Sequence, residues 1–137
     1  MNWSANYELG IAPMDATHRE FVAQVAALAA AADGELAGLL DELIVHTIAH
    51  FEQEKRWMQT SGFPPIHCHT GEHERVLEVM RDVRNKVGAG DLALGRTLVK
   101  ELPAWFENHA STMDAALAFF LKETGGLNAV PASGDAG

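Results

Sequence analysis

Seven of the 137 residues are histidine, and several of them stand at helical spacing from one another or from an acidic residue. His50 and Glu54 are four apart, as are His69 and His73. On a helix, side chains at i and i+4 leave the same face one turn apart. His109 is followed five residues later by Asp114, and His18 stands near the start of the chain. Neutral imidazole suits iron, copper and zinc, while a carboxylate can span two metals and offset their charge. Two divalent ions held close together repel, so a dinuclear site needs bridging anions, and Glu54 and Asp114 are the candidates. The last pair does not obey simple geometry. At roughly 3.6 residues per turn, five residues overshoot one turn by roughly 140°. Thr112 and Met113 are better placed to share a face with His109. Either the two ligands straddle the site from opposite flanks, or the helix widens locally into an i→i+5 turn.

These residues need four helices to carry them, and the sequence predicts an all-α protein. The first helix is expected from about Asp15, as N-cap, to Ala32, with Phe21, Val25 and Leu28 on one stripe. The second is expected from about Glu35 to Thr60, stopped by Ser61-Gly62 and Pro64-Pro65. The third runs from about His67 to Val87, with Val76, Val79, Met80 and Val83 as its apolar face. The fourth runs from about Asp91 to Lys122–Thr124, with Pro103 expected to kink or split it. Short connections then give an up-down-up-down four-helix bundle with an N-terminal arm that carries Trp3 and Tyr7. One domain is expected over 1–124, and the small, polar residues 125–137 read as a disordered tail.

Bulk properties bound the function. A formal net charge of −9 argues against nucleic acid and anionic membrane surfaces as partners. No stretch approaches the roughly 20 apolar residues of a membrane helix. The opening MNWSANYELG has neither the basic start nor the apolar run of a signal peptide. The single cysteine, Cys68, excludes an internal disulfide framework. A cytoplasmic monomer is expected. Glu-x-x-His, the signature of ferritin-type sites, does not occur, nor does His-Glu-x-x-His.

From Trp3 to Leu121 the sequence resembles the hemerythrins, in their single-domain bacterial form. The resemblance rests on Trp3, Gly10-Ile11, Met14-Asp15 and His18, then His50-Phe51-x-x-Glu54 with Met58. It continues through Phe63-Pro64 and His69-x-x-x-His73 to Trp105-Phe106-x-x-His109-x-x-x-x-Asp114. It implies two non-heme iron ions. His69, His73 and His109 would hold one, and His18 and His50 the other. Glu54 and Asp114 would bridge both, with an oxo or hydroxo group as the third bridge. The second iron would keep an open position for dioxygen, bound reversibly for storage, delivery or sensing. Reversibility needs a dry pocket, and Phe21, Phe51, Trp105, Phe106 and Ala110 are expected to line it, with Trp3 covering it.

Some positions depart from the family pattern. Ala110 stands where a larger aliphatic residue is usual, and Thr112 replaces an apolar one. Both predict a roomier or wetter oxygen pocket. Phe63 lacks the hydroxyl a tyrosine would offer, and Lys55 stands where an acid is common. His46, one turn before His50, is either a hydrogen-bonding neighbour of a ligand, a tunnel residue or a structural histidine. His67 is expected in a solvated loop, and Cys68 is given no role. The alternative function is a di-iron enzyme reducing peroxide or nitric oxide, or an iron-handling protein.

Overall fold

The computed structural model describes residues 1–125, and among these there are helices and turns but no strand. Helix α1 spans Ala12–Ala30, α2 Leu36–Ser61, α3 Ile66–Gly88, α4 Leu92–His109 and α5 Ala115–Glu123. A five-residue π-helical turn, Ala110–Asp114, joins α4 to α5, so these two form the fourth rod of a bundle. Each rod packs on the next, and α4 returns to α1 to close the ring. The expected four-helix bundle with an N-terminal arm is therefore the fold observed. Of the expected disordered tail, all but Gly125 lies outside the described residues.

Four local expectations are corrected. Helix α1 starts at Ala12, with Pro13 in the first turn where a missing N–H costs no intrahelical bond. Asp15 is therefore not its N-cap. The buried Asp15 carboxylate reaches back, accepting from Leu9 N at 2.7 Å and Gly10 N at 3.1 Å. It pins the arm to the bundle where Gly10 takes φ +85°. Helix α4 runs unbroken through Pro103, and the irregularity falls at the π turn instead. Val79 is 49% exposed, whereas Val76, Met80 and Val83 are buried. His67 belongs to the first turn of α3, exposed as expected.

The π turn has a clear hydrogen-bond signature. Ala115 N–H donates to Ala110 O, an i→i−5 bond. Thr112 Oγ1 donates to Asn108 O at 2.6 Å, with Ser111 Oγ at 3.3 Å from the same carbonyl. Side-chain hydroxyls thus serve a carbonyl at the point where the helical ladder changes register.

Two apolar clusters stabilise the bundle. The larger includes Val25, Leu28, Leu36, Leu40, Leu43, Met80, Leu98 and Leu102. The smaller joins Ile11, Met14, Trp57, Met58, Phe63, Leu117 and Leu121 at the other end. At Gly95 the helices come so close that a Cβ would lie 2.6 Å from Val87 Cγ2 and 2.9 Å from Leu36 Cδ2. Between the clusters lies a buried polar layer.

Candidate metal centre

All seven residues expected to ligate metal meet in that layer. Helix α1 presents His18, α2 His50 and Glu54, α3 His69 and His73, α4 His109, and the π turn Asp114. Each is at most 4% exposed. Their ligand atoms form two groups that share Glu54, one with His69, His73, His109 and Asp114, the other with His18 and His50.

The two carboxylates are divided between the groups. Glu54 Oε1 lies 3.3 Å from His69 Nε2 and 3.6 Å from His73 Nε2. Its other oxygen, Oε2, lies 2.6 Å from His50 Nε2 and 3.9 Å from His18 Nε2. Asp114 repeats the pattern. Oδ1 is 3.1 Å from both His69 and His109, and Oδ2 is 3.0 Å from His18. His73 Nε2 and His109 Nε2 approach to 3.0 Å. The π turn makes this possible. Adding one residue to the turn brings Asp114, five after His109, onto the face that regular helix would give to Thr112 and Met113. Of the two geometries open to the pair, the widened turn is the one adopted.

Charge follows from this packing. Burial and Asp114 push the Glu54 carboxyl up, but His50 and His69 beside it outweigh both and hold it below its ordinary range. Asp114, also raised by burial, is held well below its ordinary range by His109, His18 and His69. Burial lowers His69, yet Asp114 and Glu54 raise it on balance to about 9. His18 is likewise raised, with Asp114 and Glu54 outweighing burial. Burial lowers His73 to about 3, helped by the neighbouring His69 and His109 against Glu54 and Asp114. Two ionised carboxylates in a dry layer need positive charge, and the raised His18 and His69 show the imidazoles around them favouring their protonated form.

The donor set fits a pair of metal ions. His18 Nε2 and Glu54 Oε1 are buried and make no directed hydrogen bond, although carboxylate or imidazole atoms lie 3.0–3.6 Å away. Within each group the ligand atoms all lie within 4.8 Å of one another, close enough to share one ion. Five imidazoles and two carboxylates are also the nitrogen–oxygen set that first-row transition metals accept.

Aromatic rings enclose the layer. Phe51 stacks on His73 at 3.6 Å and 3°, and Trp105 on His109 at 4.8 Å and 13°. Trp105 also donates Nε1–H to Glu72 Oε1 at 3.1 Å. On the other side Phe106 meets His18 edge-on at 5.2 Å and stacks on Phe21 at 4.9 Å. Ala110 is fully buried in the larger cluster. Trp3 is half-buried and packs against the larger cluster. It packs on Tyr7, and Tyr7 packs on Phe106 at 5.0 Å and sets its carbonyl 3.5 Å from His18 Nδ1. Tyr7 is the wall residue sequence reasoning passed over. Its aromatic place in an arm of known start was the available signal. Thr112 faces outward, where it lines a cavity of about 310 Å3 with Phe63, Pro65, Cys68, His69 and Met113. Cys68 is exposed. His46 stands beside His50, ring centroids 6.4 Å apart, and pairs with Glu20.

Known proteins share this arrangement of sequence. Residues 9–118 match the family model of the hemerythrin HHE cation-binding domain. A bacteriohemerythrin of Ralstonia nicotianae is 42% identical over 125 residues, covering 91% of each chain. One from Methylococcus capsulatus is 29% identical over 80 residues, 58% of this chain and 61% of that one. A third, from Pseudomonas aeruginosa, is 27% identical over 117 residues, with 82% and 76% coverage. With most of its length matched and its histidines and carboxylates gathered in one buried layer, the chain belongs to the hemerythrin family.

Proposed function

We propose that the chain holds two non-heme iron ions and binds dioxygen reversibly. One observation carries the reading: both carboxylates turn one oxygen to each histidine group. His69, His73 and His109 hold one iron, and His18 and His50 the other. Glu54 and Asp114 would span the two, with an oxo or hydroxo group as the expected third bridge. Bound there, the iron pair supplies the electrons with which dioxygen is taken up and later released. With two histidines against three, the His18–His50 side would be the one with room for an exchangeable ligand.

The residues of the chain do the rest. Ligation requires bare Nε2 atoms, and His73 offers one at any ordinary pH because burial keeps it neutral down to about 3. Phe21, Phe106 and Ala110, closed over by Tyr7 and Trp3, exclude water beside His18. Phe51 and Trp105 cover the three-histidine side and fix the ring planes of His73 and His109. Water exclusion favours release of intact dioxygen over irreversible oxidation of the site. Residues 1–124 act as one domain in this reading, as a cytoplasmic monomer. No described helix is long and apolar enough to cross a membrane.

Stopped-flow mixing of the fully reduced, iron-loaded protein with dioxygen tests the proposal. A long-lived visible spectrum that reverses on deoxygenation, with about two irons per chain, is the expected result. Rapid irreversible decay would instead favour an enzyme that reduces peroxide or nitric oxide, or an iron-handling protein.

A further inference from the structure

Ligand histidines need a partner for the ring nitrogen that faces away from the metal. That partner fixes the tautomer and raises the basicity of the ligating nitrogen. His18 has one in the carbonyl of Tyr7. The outer nitrogens of His50, His69 and His109 are buried and make no hydrogen bond to the described residues. Beside His50 stands a histidine from outside the seven-residue set that has an orphaned nitrogen of its own. His46 lies one turn earlier on α2, its ring 6.4 Å from that of His50 and inclined at 66°. His46 Nδ1 is buried and makes no hydrogen bond either.

The proton positions of the two rings are complementary. His46 Nε2 lies 3.0 Å from Glu20 Oε2 on α1, and a carboxylate can only accept, so Nε2 carries the hydrogen. In the neutral ring that leaves Nδ1 of His46 as an acceptor. His50 turns Nε2 toward Glu54, where the metal would lie, so its hydrogen sits on Nδ1 and that atom is a donor. A buried donor and a buried acceptor thus sit on neighbouring rings, with no direct bond between them. A single water with two ordinary hydrogen bonds spans about 5.6 Å and satisfies both. An orphan left dry keeps its full desolvation penalty, which a water accepting from one ring and donating to the other removes. The chain of contacts is then Glu20, His46, water, His50. Its outer end is wet, since the Glu20 side chain is 55% exposed and that of His46 19%.

We propose that the seam between α1 and α2 binds an ordered water bridging His46 Nδ1 and His50 Nδ1, and that Glu20 and His46 thereby position and polarise His50. His46 is a positioning residue that acts through His50. The inference rests on His50 being a ligand, as in the proposed function. It extends that reading to a hydrogen-bond line from solvent to the metal with fewer histidines.

The test uses the full chain loaded with cobalt(II), whose paramagnetism shifts the ring N–H protons of ligand histidines clear of the other proton resonances. His46→Leu should move one such line and slow its exchange with deuterated solvent, while weakening cobalt at the His18–His50 site by about 10- to 100-fold. His46→Gln, whose carboxamide oxygen can accept from the water, should restore the line toward its original position. Glu20→Gln, at a half-exposed side chain, should move the same line in the same direction, and it decides the matter if His46→Leu does not fold. Shifted lines that none of the variants alters would overturn this inference alone. Absence of shifted lines in the unaltered protein would overturn the metal reading and this inference together.

Discussion

His109 Nε2 lies 3.1 Å from Asp114 Oδ1 although five residues separate them, and the π turn between them is what closes the distance. The carboxylate that spans both histidine groups therefore depends on an inserted residue and not on the regular pitch of the helix. Asp114→Ala should drop bound iron from about two ions per chain to one or fewer, by metal analysis of the purified protein, with helix content unchanged by circular dichroism. Adding Met113→Asp to that variant should not restore the second ion, because position 113 in the widened turn lines the outer cavity beside His69 and not the buried layer that Asp114 occupies. Full loading of the double variant would show that the turn is irrelevant to ligation.

The metal-free protein should be most stable near pH 6.5. His69 is raised to about 9 in the fold, so its contribution is complete below its unfolded value of about 6.5 and lost as pH climbs through 9. A shift of this size corresponds to roughly 3 kcal/mol. His73 is depressed to about 3, so the unfolded chain takes up its proton first and stability falls as pH drops below about 6.5. The lowered carboxyls of Glu54 and Asp114 add to the loss in more acidic solution. Metal replaces the protons on His18 and His69, so loaded protein should keep its stability toward pH 9. Urea midpoints at pH 5, 6.5 and 9, with and without metal, measure both curves. A flat metal-free curve from pH 6.5 to 9 would count against the charge assignment.

Trp105 should report metal binding. Its indole stacks on His109, so a bound ion lies one ring away and quenches it, whereas Trp57 is buried in the cluster with Met14 and Leu117. Iron(II) titration should quench tryptophan emission, and Trp105→Phe should remove most of that change while leaving metal content near two per chain. Equal quenching in the variant would place the sensitive indole elsewhere.

How much of this was legible in the sequence differs by residue. The i,i+4 pairs His50/Glu54 and His69/His73 could be read from regular helix geometry, and the four rods from their Gly, Pro and Asp punctuation. Asp114 could not, because a π turn has no strong local signal and only the family resemblance selected it. Asp15 looked like an N-cap because acids favour that place. Its actual partners, Leu9 and Gly10, lie upstream in an arm whose path depends on tertiary contacts. Val79 fits an apolar helical stripe, yet it falls beyond the edge of the neighbouring rods and stays exposed. Pro103 broke a rule of propensity that packing overrode. The outward turn of Thr112 follows from the same π turn, which sets it in the cavity beside His69 and apart from Phe21 and Phe106.

Ala110 is left as the departure that can alter the pocket, and its burial sets the outcome of enlarging it. The residue is fully buried in the larger apolar cluster, one position after His109 and at the start of the π turn. Ala110→Leu adds three carbons to a packed site. Overpacking of this kind costs about 1–3 kcal/mol unless neighbours give way. A lower urea midpoint with unchanged helix content is therefore expected. Where the protein still folds, the added side chain occupies volume that water would otherwise share beside the metal, so decay of the dioxygen-bound form to the oxidised form should slow. Ala110→Gly should do the reverse, loosening the π turn and hastening decay. The two variants are compared by following the visible spectrum after mixing reduced protein with dioxygen. Decay that is faster in Ala110→Leu than in the unaltered chain would mean that displaced aromatic side chains, and not the volume at position 110, control entry of water.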